Sequence, residues 1–166
     1  LHLVVPASDL HALLQAELGE LSRDEIRKDN VTFRFEQPVP YFEGGSRLRI
    51  ETTVHAKTRI PIVGTVRAKA RAKLWALVTI RDWRVQVEPQ SSDIKFSNDL
   101  INLAFQLVRK QVEERLVNLA RDSLAELNQT IEPGSSRILK LVQQRGRLDG
   151  GLEPDGLHAR LTERSR

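Results

Sequence analysis

Between Val66 and Ile80 every even position is apolar, while the odd positions open with Arg67, Lys69, Arg71 and Lys73. Alanine, arginine and lysine are good helix formers, so propensity alone favours a helix here. The period of two overrides it and predicts a strand with one covered and one wet face. The covered face is unusually small in volume, with Ala68, Ala70, Ala72, Leu74 and Ala76 in succession. The same alternation recurs upstream. Leu48, Ile50, Thr52, Val54 and Ala56 oppose Arg47, Arg49, Glu51, Thr53, His55 and Lys57, and Val31, Phe33 and Phe35 share one face. Downstream, Trp83, Val85 and Val87 alternate as well. Pro61 with Gly64, and Arg81 with Asp82, break these runs, so consecutive long antiparallel strands form a meander.

The flanks read differently. Leu1–Pro6 is a short strand. A helix follows, capped by Ser8 or Asp9, with Leu10, Leu13, Leu14 and Leu18 as its apolar stripe and Gly19 at its end. Residues 22–30 are a charged connector, and residues 38–46, rich in Pro and Gly, are a turn region. From Asn98 the period becomes helical: Ile101, Phe105, Val108, Val112, Leu116, Leu119, Leu124, Leu127 and Ile131 recur at spacings of three and four. Ser97 or Asn98 caps this helix and Glu132–Gly134 ends it. Its first part, Leu100–Val108, is apolar nearly all round, which implies cover on several sides. The tail predicts two more strands about a turn at Pro154–Gly156.

The long strand Val66–Ile80 and the long helix Asn98–Ile131 each span roughly 50 Å at about 3.3 and 1.5 Å per residue. Both exceed ordinary element lengths. The expected fold is therefore α+β in one domain, residues 1–166. A long curved antiparallel sheet wraps around one long helix in the C-terminal half, with a short N-terminal helix at one end. Small residues on the covered face either let the helix come close or leave a groove between helix and sheet.

Charge and chemistry narrow the function. The 166 residues carry 26 Lys and Arg against 22 Asp and Glu, a net charge of +4 that is too mild to argue for nucleic acid. There is no cysteine, hence no disulfide or thiolate chemistry. The chain begins at Leu1 and lacks methionine, which suggests a processed segment without its native start, signal or anchor. His2, His11, His55 and His158 form no metal-ligand spacing, and neither a phosphate loop nor a nucleophile elbow is present. No cofactor, metal or enzymatic activity is expected. The row Arg67, Lys69, Arg71, Lys73 reads either as a solvated face that deters edge pairing or as a surface for anionic headgroups. The covered faces are aliphatic and poor in polar groups, which suits an acyl ligand better than a polar metabolite.

The order of elements, with "VPASDLHALLQAEL", "DWRVQVEP", the helix "FSNDLINLAFQLVRKQVEERLVNLARDSLAEL" and "LEPDGLHARL", resembles the tubular lipid-binding (TULIP) superfamily, especially bacterial members of unknown function and small envelope lipoproteins. That resemblance implies a curved sheet around a long helix, with lipid acyl chains in the groove between them and no catalytic residues. The lining expected here is Ala68, Ala70, Ala72, Leu74 and Ala76 from the strand, with Ile101, Phe105, Val108 and Val112 from the helix. The implied partners are a lipid or other hydrophobic molecule and an anionic membrane contacted through Arg67, Lys69, Arg71 and Lys73. A homodimer and a cell-envelope location belong to the same expectation. The alternative is a structural or protein-interaction module of the same fold with a filled core.

Overall fold

A computed structural model describes residues 2–131 and 137–164. The alternating segments form one nine-stranded antiparallel sheet. Its spine is the hairpin of β5 (Arg47–Ile60) and β6 (Gly64–Arg81), paired without interruption from Arg47 opposite Leu77 to Ile60 opposite Gly64. The hairpin turns at Pro61–Val63, where the sequence places its break. Along the other edge of β5, β3 (Val31–Phe35) and β4 (Val39–Phe42) follow one another, and β2 (Glu25–Lys28) pairs outside β3. β7 (Arg84–Ile94) takes the opposite edge of β6. A ribbon of β1 (His2–Pro6), β9 (Gly156–Glu163) and β8 (Gly146–Glu153) joins β6 at Thr79 and Ile80, beyond its pairing with β5. Among the described residues there are three α-helices: α1 (Ala7–Leu18), α2 (Asp99–Ile131) and α3 (Arg137–Arg145). The α+β architecture is the one read from periodicity.

Several local readings are overturned, each for a physical reason. The charged connector contains β2, because Ile26 is buried and Asp29, at φ 56°, turns the chain into β3. Aspartate tolerates that left-handed backbone better than most residues. The Pro/Gly-rich stretch contains β4, an edge strand in which Pro40 leaves no central ladder bond unmade. Trp83 is a buried turn residue rather than part of β7, and its ring Nε1 donates to the carbonyl of Gly146 at 3.1 Å. The tail segment before Gly146 is helical, since its apolar positions 138, 141 and 142 recur at three and four. α1 begins at Ala7, with Pro6 at the cap and no side-chain capping bond. The Ala7 N–H instead donates to the carbonyl of Asp155 at 2.9 Å. For α2 the expected cap is present: the Asn98 side-chain oxygen accepts the Ile101 N–H at 3.0 Å. The expected stop at Glu132–Gly134 and the side chain of Ile131 lie outside the described residues.

The core lies between the inner sheet face and α2. Phe33, Phe96 and Phe105 are each under 2% exposed, with ring centroids 5.2 to 5.9 Å apart. In the register of β5 and β6, Val54 faces Ala70 and Ala56 faces Ala68. Farther along, Leu10, Leu14 and Leu18 of α1 are buried, as are Leu116, Leu119 and Leu124 of α2. The apolar first part of α2 is not covered all round. Ile101, Ala104, Phe105 and Val108 are buried, but Leu100, Leu103 and Leu107 are 58%, 64% and 62% exposed, because the sheet reaches only one side of the helix there.

Two substitutions test this packing. Ala70→Trp inserts a ring into a closed interior and is expected to cost about 1–3 kcal/mol in denaturant unfolding, as overpacking does. Asn98→Ala removes the α2 cap and is expected to cost about 1 kcal/mol. An unchanged midpoint for Ala70→Trp would mean the interior has room for the ring.

Candidate functional site

The outer face of the sheet carries the odd residues of β5 and β6, and register brings like charges together. Lys57 lies directly opposite Arg67, and His55 opposite Lys69. Thr32 and Arg34 of β3 extend the same rows outward, and Arg27 and Glu25 of β2 lie beyond them. These long side chains wall an open hollow of about 650 Å³ lined by Arg27, Arg34, Lys57, Arg59, Arg67 and Lys69. Glu25 also lines it and is engaged by Arg27 at 3.0 Å and Arg34 at 2.9 Å. Those hydrogen bonds, Arg27's first, hold the Glu25 carboxyl below the usual carboxylate range. Beside the hollow, Glu36 is lowered likewise, chiefly by its hydrogen bond with His55 at 2.8 Å. Among the described residues Lys57, Arg59 and Arg67 form no ion pair, and like charges directly opposite on a sheet are unfavourable.

A second hollow, of about 320 Å³, opens between the β5–β6 hairpin and α2. Its apolar wall is Val31, Ile60, Pro61, Leu100, Leu103 and Leu107. Asn30, Thr58 and Arg59 line both hollows, so the apolar cleft and the basic hollow meet at one end of the molecule.

The structure distributes the sequence-expected residues as follows. Ala70, Ala72, Leu74 and Ala76 are buried on the inner face, and Ile101, Phe105, Val108 and Val112 are buried on α2. Neither hollow is lined by any of these eight. Ala68 is half-buried and contributes to the wall of the basic hollow. Of the basic row, Arg67 and Lys69 line that hollow, Arg71 is exposed outside it, and Lys73 lies 3.8 Å from Glu51. Sequence reading missed Arg27, Arg34, Lys57 and Arg59 as companions of the row, and it missed the exposed leucines. The alternation of β5 and β6 held the signal for Lys57 and Arg59; the β2 contribution required knowing that β2 exists. One further cluster was invisible in sequence: His2 contacts His158 at 3.0 Å, and His158 contacts Asp155 at 2.7 Å. Both contacts lie at the exposed surface.

No family model matches the chain, and no curated protein sequence matches it. Among solved structures it is similar to the crystal structure of lipopolysaccharide binding protein, at 12% identity and a TM-score of 0.39. The alignment covers 95% of this chain and 47% of that one, so the chain spans about half the length of that structure. No helix among the described residues is long and apolar enough to cross a membrane.

The Glu25 pairs generate a pH expectation. A carboxyl held low in the folded state stabilises above its unfolded value, and the contribution is lost as pH falls through the folded value. Glu25 should therefore stay ionised below the pH at which exposed glutamates protonate, as followed by side-chain carboxyl NMR. Replacing it, Glu25→Gln, frees Arg27 and Arg34 and should tighten binding of inorganic phosphate at neutral pH, as followed by NMR titration. Unaltered phosphate affinity in Glu25→Gln would mean that Arg27 and Arg34 take no part in holding phosphate.

Proposed function

We propose that this chain binds an anionic amphiphile without catalysis, with the acyl part in the cleft beside α2 and the headgroup over the basic hollow. The observation that carries the reading is the abutment of the two hollows at Asn30, Thr58 and Arg59. An apolar cleft alone would suit any greasy molecule, and a basic hollow alone any polyanion. Their contact suits a molecule that is apolar at one end and anionic at the other. The cleft volume of about 320 Å³ is at the lower end for ligand sites. A water-insoluble ligand has to be collected from one membrane and delivered to another, so the reading includes membrane contact and transfer, in a cell-envelope setting.

A structural module is the second reading, and the tightly buried alanine face favours it. Two experiments separate them. Native mass spectrometry of gently purified protein should show a bound amphiphile. Leu103→Asp with Leu107→Asp places charges in the cleft at positions already exposed, so the fold should persist. Burying one such side chain is worth about 1.5–3 kcal/mol, and affinity for a fluorescent fatty acid should drop at least about tenfold. Equal probe binding by wild type and variant would dismiss the cleft as the seat and leave the structural module.

A further inference from the structure

The tip of the β5–β6 hairpin is built against the preferences of its own residues. Ile62 is fully exposed and has φ 75°, a left-handed conformation that β-branched residues rarely adopt. Val63 beside it is 70% exposed. Neither residue lines the cleft, so ligand binding there does not explain them. Nothing in the core uses them either. Glycine or asparagine would satisfy the backbone without exposing an apolar side chain. Strain of this kind persists where a site requires it.

The surroundings identify what would cover this tip. Ile60 and Pro61 join it to the exposed leucine stripe of α2, Leu100, Leu103 and Leu107, across the cleft. Spacings of three and four put those leucines on one helix face. Behind this apolar margin stand Lys57, Arg59 and Arg67, which make no ion pair among the described residues. Lys28 is exposed at the adjoining β2–β3 turn. The carboxylates near this end include Asp29, at that turn, Asp99, at the start of α2, and Glu25, already held by two arginines. An apolar projection collared by unpaired cations complements an anionic bilayer, apolar below the headgroups and negative at their level.

We propose that Ile62 and Val63, with the Leu100–Leu103–Leu107 stripe, insert into the interface of an anionic bilayer while Lys57, Arg59 and Arg67 engage lipid phosphates. The cleft then opens toward the membrane from which its amphiphile comes. Only that orientation rests on the function proposed above; docking itself needs no ligand in the cleft.

The test is co-sedimentation of the protein with phosphatidylcholine vesicles, with and without phosphatidylglycerol. Wild type should sediment with the anionic vesicles, less with neutral ones, and less at high salt, since salt screens the attraction. The variant Ile62→Asn with Val63→Ser removes the apolar tip and relieves the backbone. Its Tm should be unchanged or raised, its fatty-acid binding retained, and its vesicle affinity lowered at least about tenfold, from the area withdrawn from the bilayer. Lys57→Gln with Arg67→Gln should lower affinity for anionic vesicles several-fold per charge and leave neutral-vesicle binding as it was. As an independent measurement, Val63→Trp should shift its fluorescence to the blue when anionic vesicles are added. Vesicle affinity unaltered by the tip variant, or an unshifted Val63→Trp spectrum, would overturn the proposal. Equal fatty-acid binding by wild type and the cleft variant, with vesicle binding by the wild type intact, would instead refute the amphiphile reading and leave docking standing.

Discussion

The rest of the molecule depends on the pairing register of β5 with β6. Side chains alternate faces along a strand, so a slip of one residue would exchange the two faces completely. With Thr52 opposite Ala72, even residues meet even residues over the whole hairpin. One face then offers Leu48, Ile50, Val54, Ala70, Leu74 and Ala76 to the core, and the other gathers Lys57, Arg67 and Lys69. The turn at Pro61–Val63 pins that register at one end. The same register thus specifies the bed for α2 and the basic hollow.

Small side chains on the inner face have a consequence for where a ligand can sit. Alanine at positions 70 and 72 is buried on the inner face, in the same core as the aromatic trio of Phe33, Phe96 and Phe105. A face lined with small residues therefore closes rather than opens, once large ones on the partner element fill it. Open apolar space lies elsewhere, including the first part of α2, where Leu100, Leu103 and Leu107 are exposed beside the hairpin.

Legibility in the sequence followed the strength of periodic signals. The long strands and α2 were readable because each repeats its period many times, and a one-residue error would spoil the match. β2, β4 and α3 were not. β2 and β4 are four residues each, too short for a period to establish itself, and are formed by pairing with strands distant in sequence. Propensity carries little weight against such tertiary pairing. The basic row was visible on β6 alone. Its enlargement into a hollow needed Arg27 and Arg34 from β2 and β3, whose neighbourhood exists only after the sheet assembles. The cover of α2 was misjudged because hydrophobic periodicity reports which faces are apolar and cannot tell a face covered by protein from one covered by something else.

That last distinction is where the two ends of the sheet differ. At the end distant from the hairpin tip, cations are matched: Arg47 and Arg49 both approach Glu43, at 3.8 and 2.9 Å, Arg49 also lies 4.7 Å from the Tyr41 ring, and Lys73 approaches Glu51. At the tip end, Lys57 faces Arg67 with no carboxylate between them, and Ile62 holds an unfavourable backbone with its side chain in water. A fold optimised only for its own stability would distribute such features or remove them, since a single asparagine or glutamate would relieve each one. Their concentration within one hairpin end, next to an apolar cleft, gives them a common cause. Each is a cost to the isolated chain, and each would become favourable against the anionic bilayer proposed above.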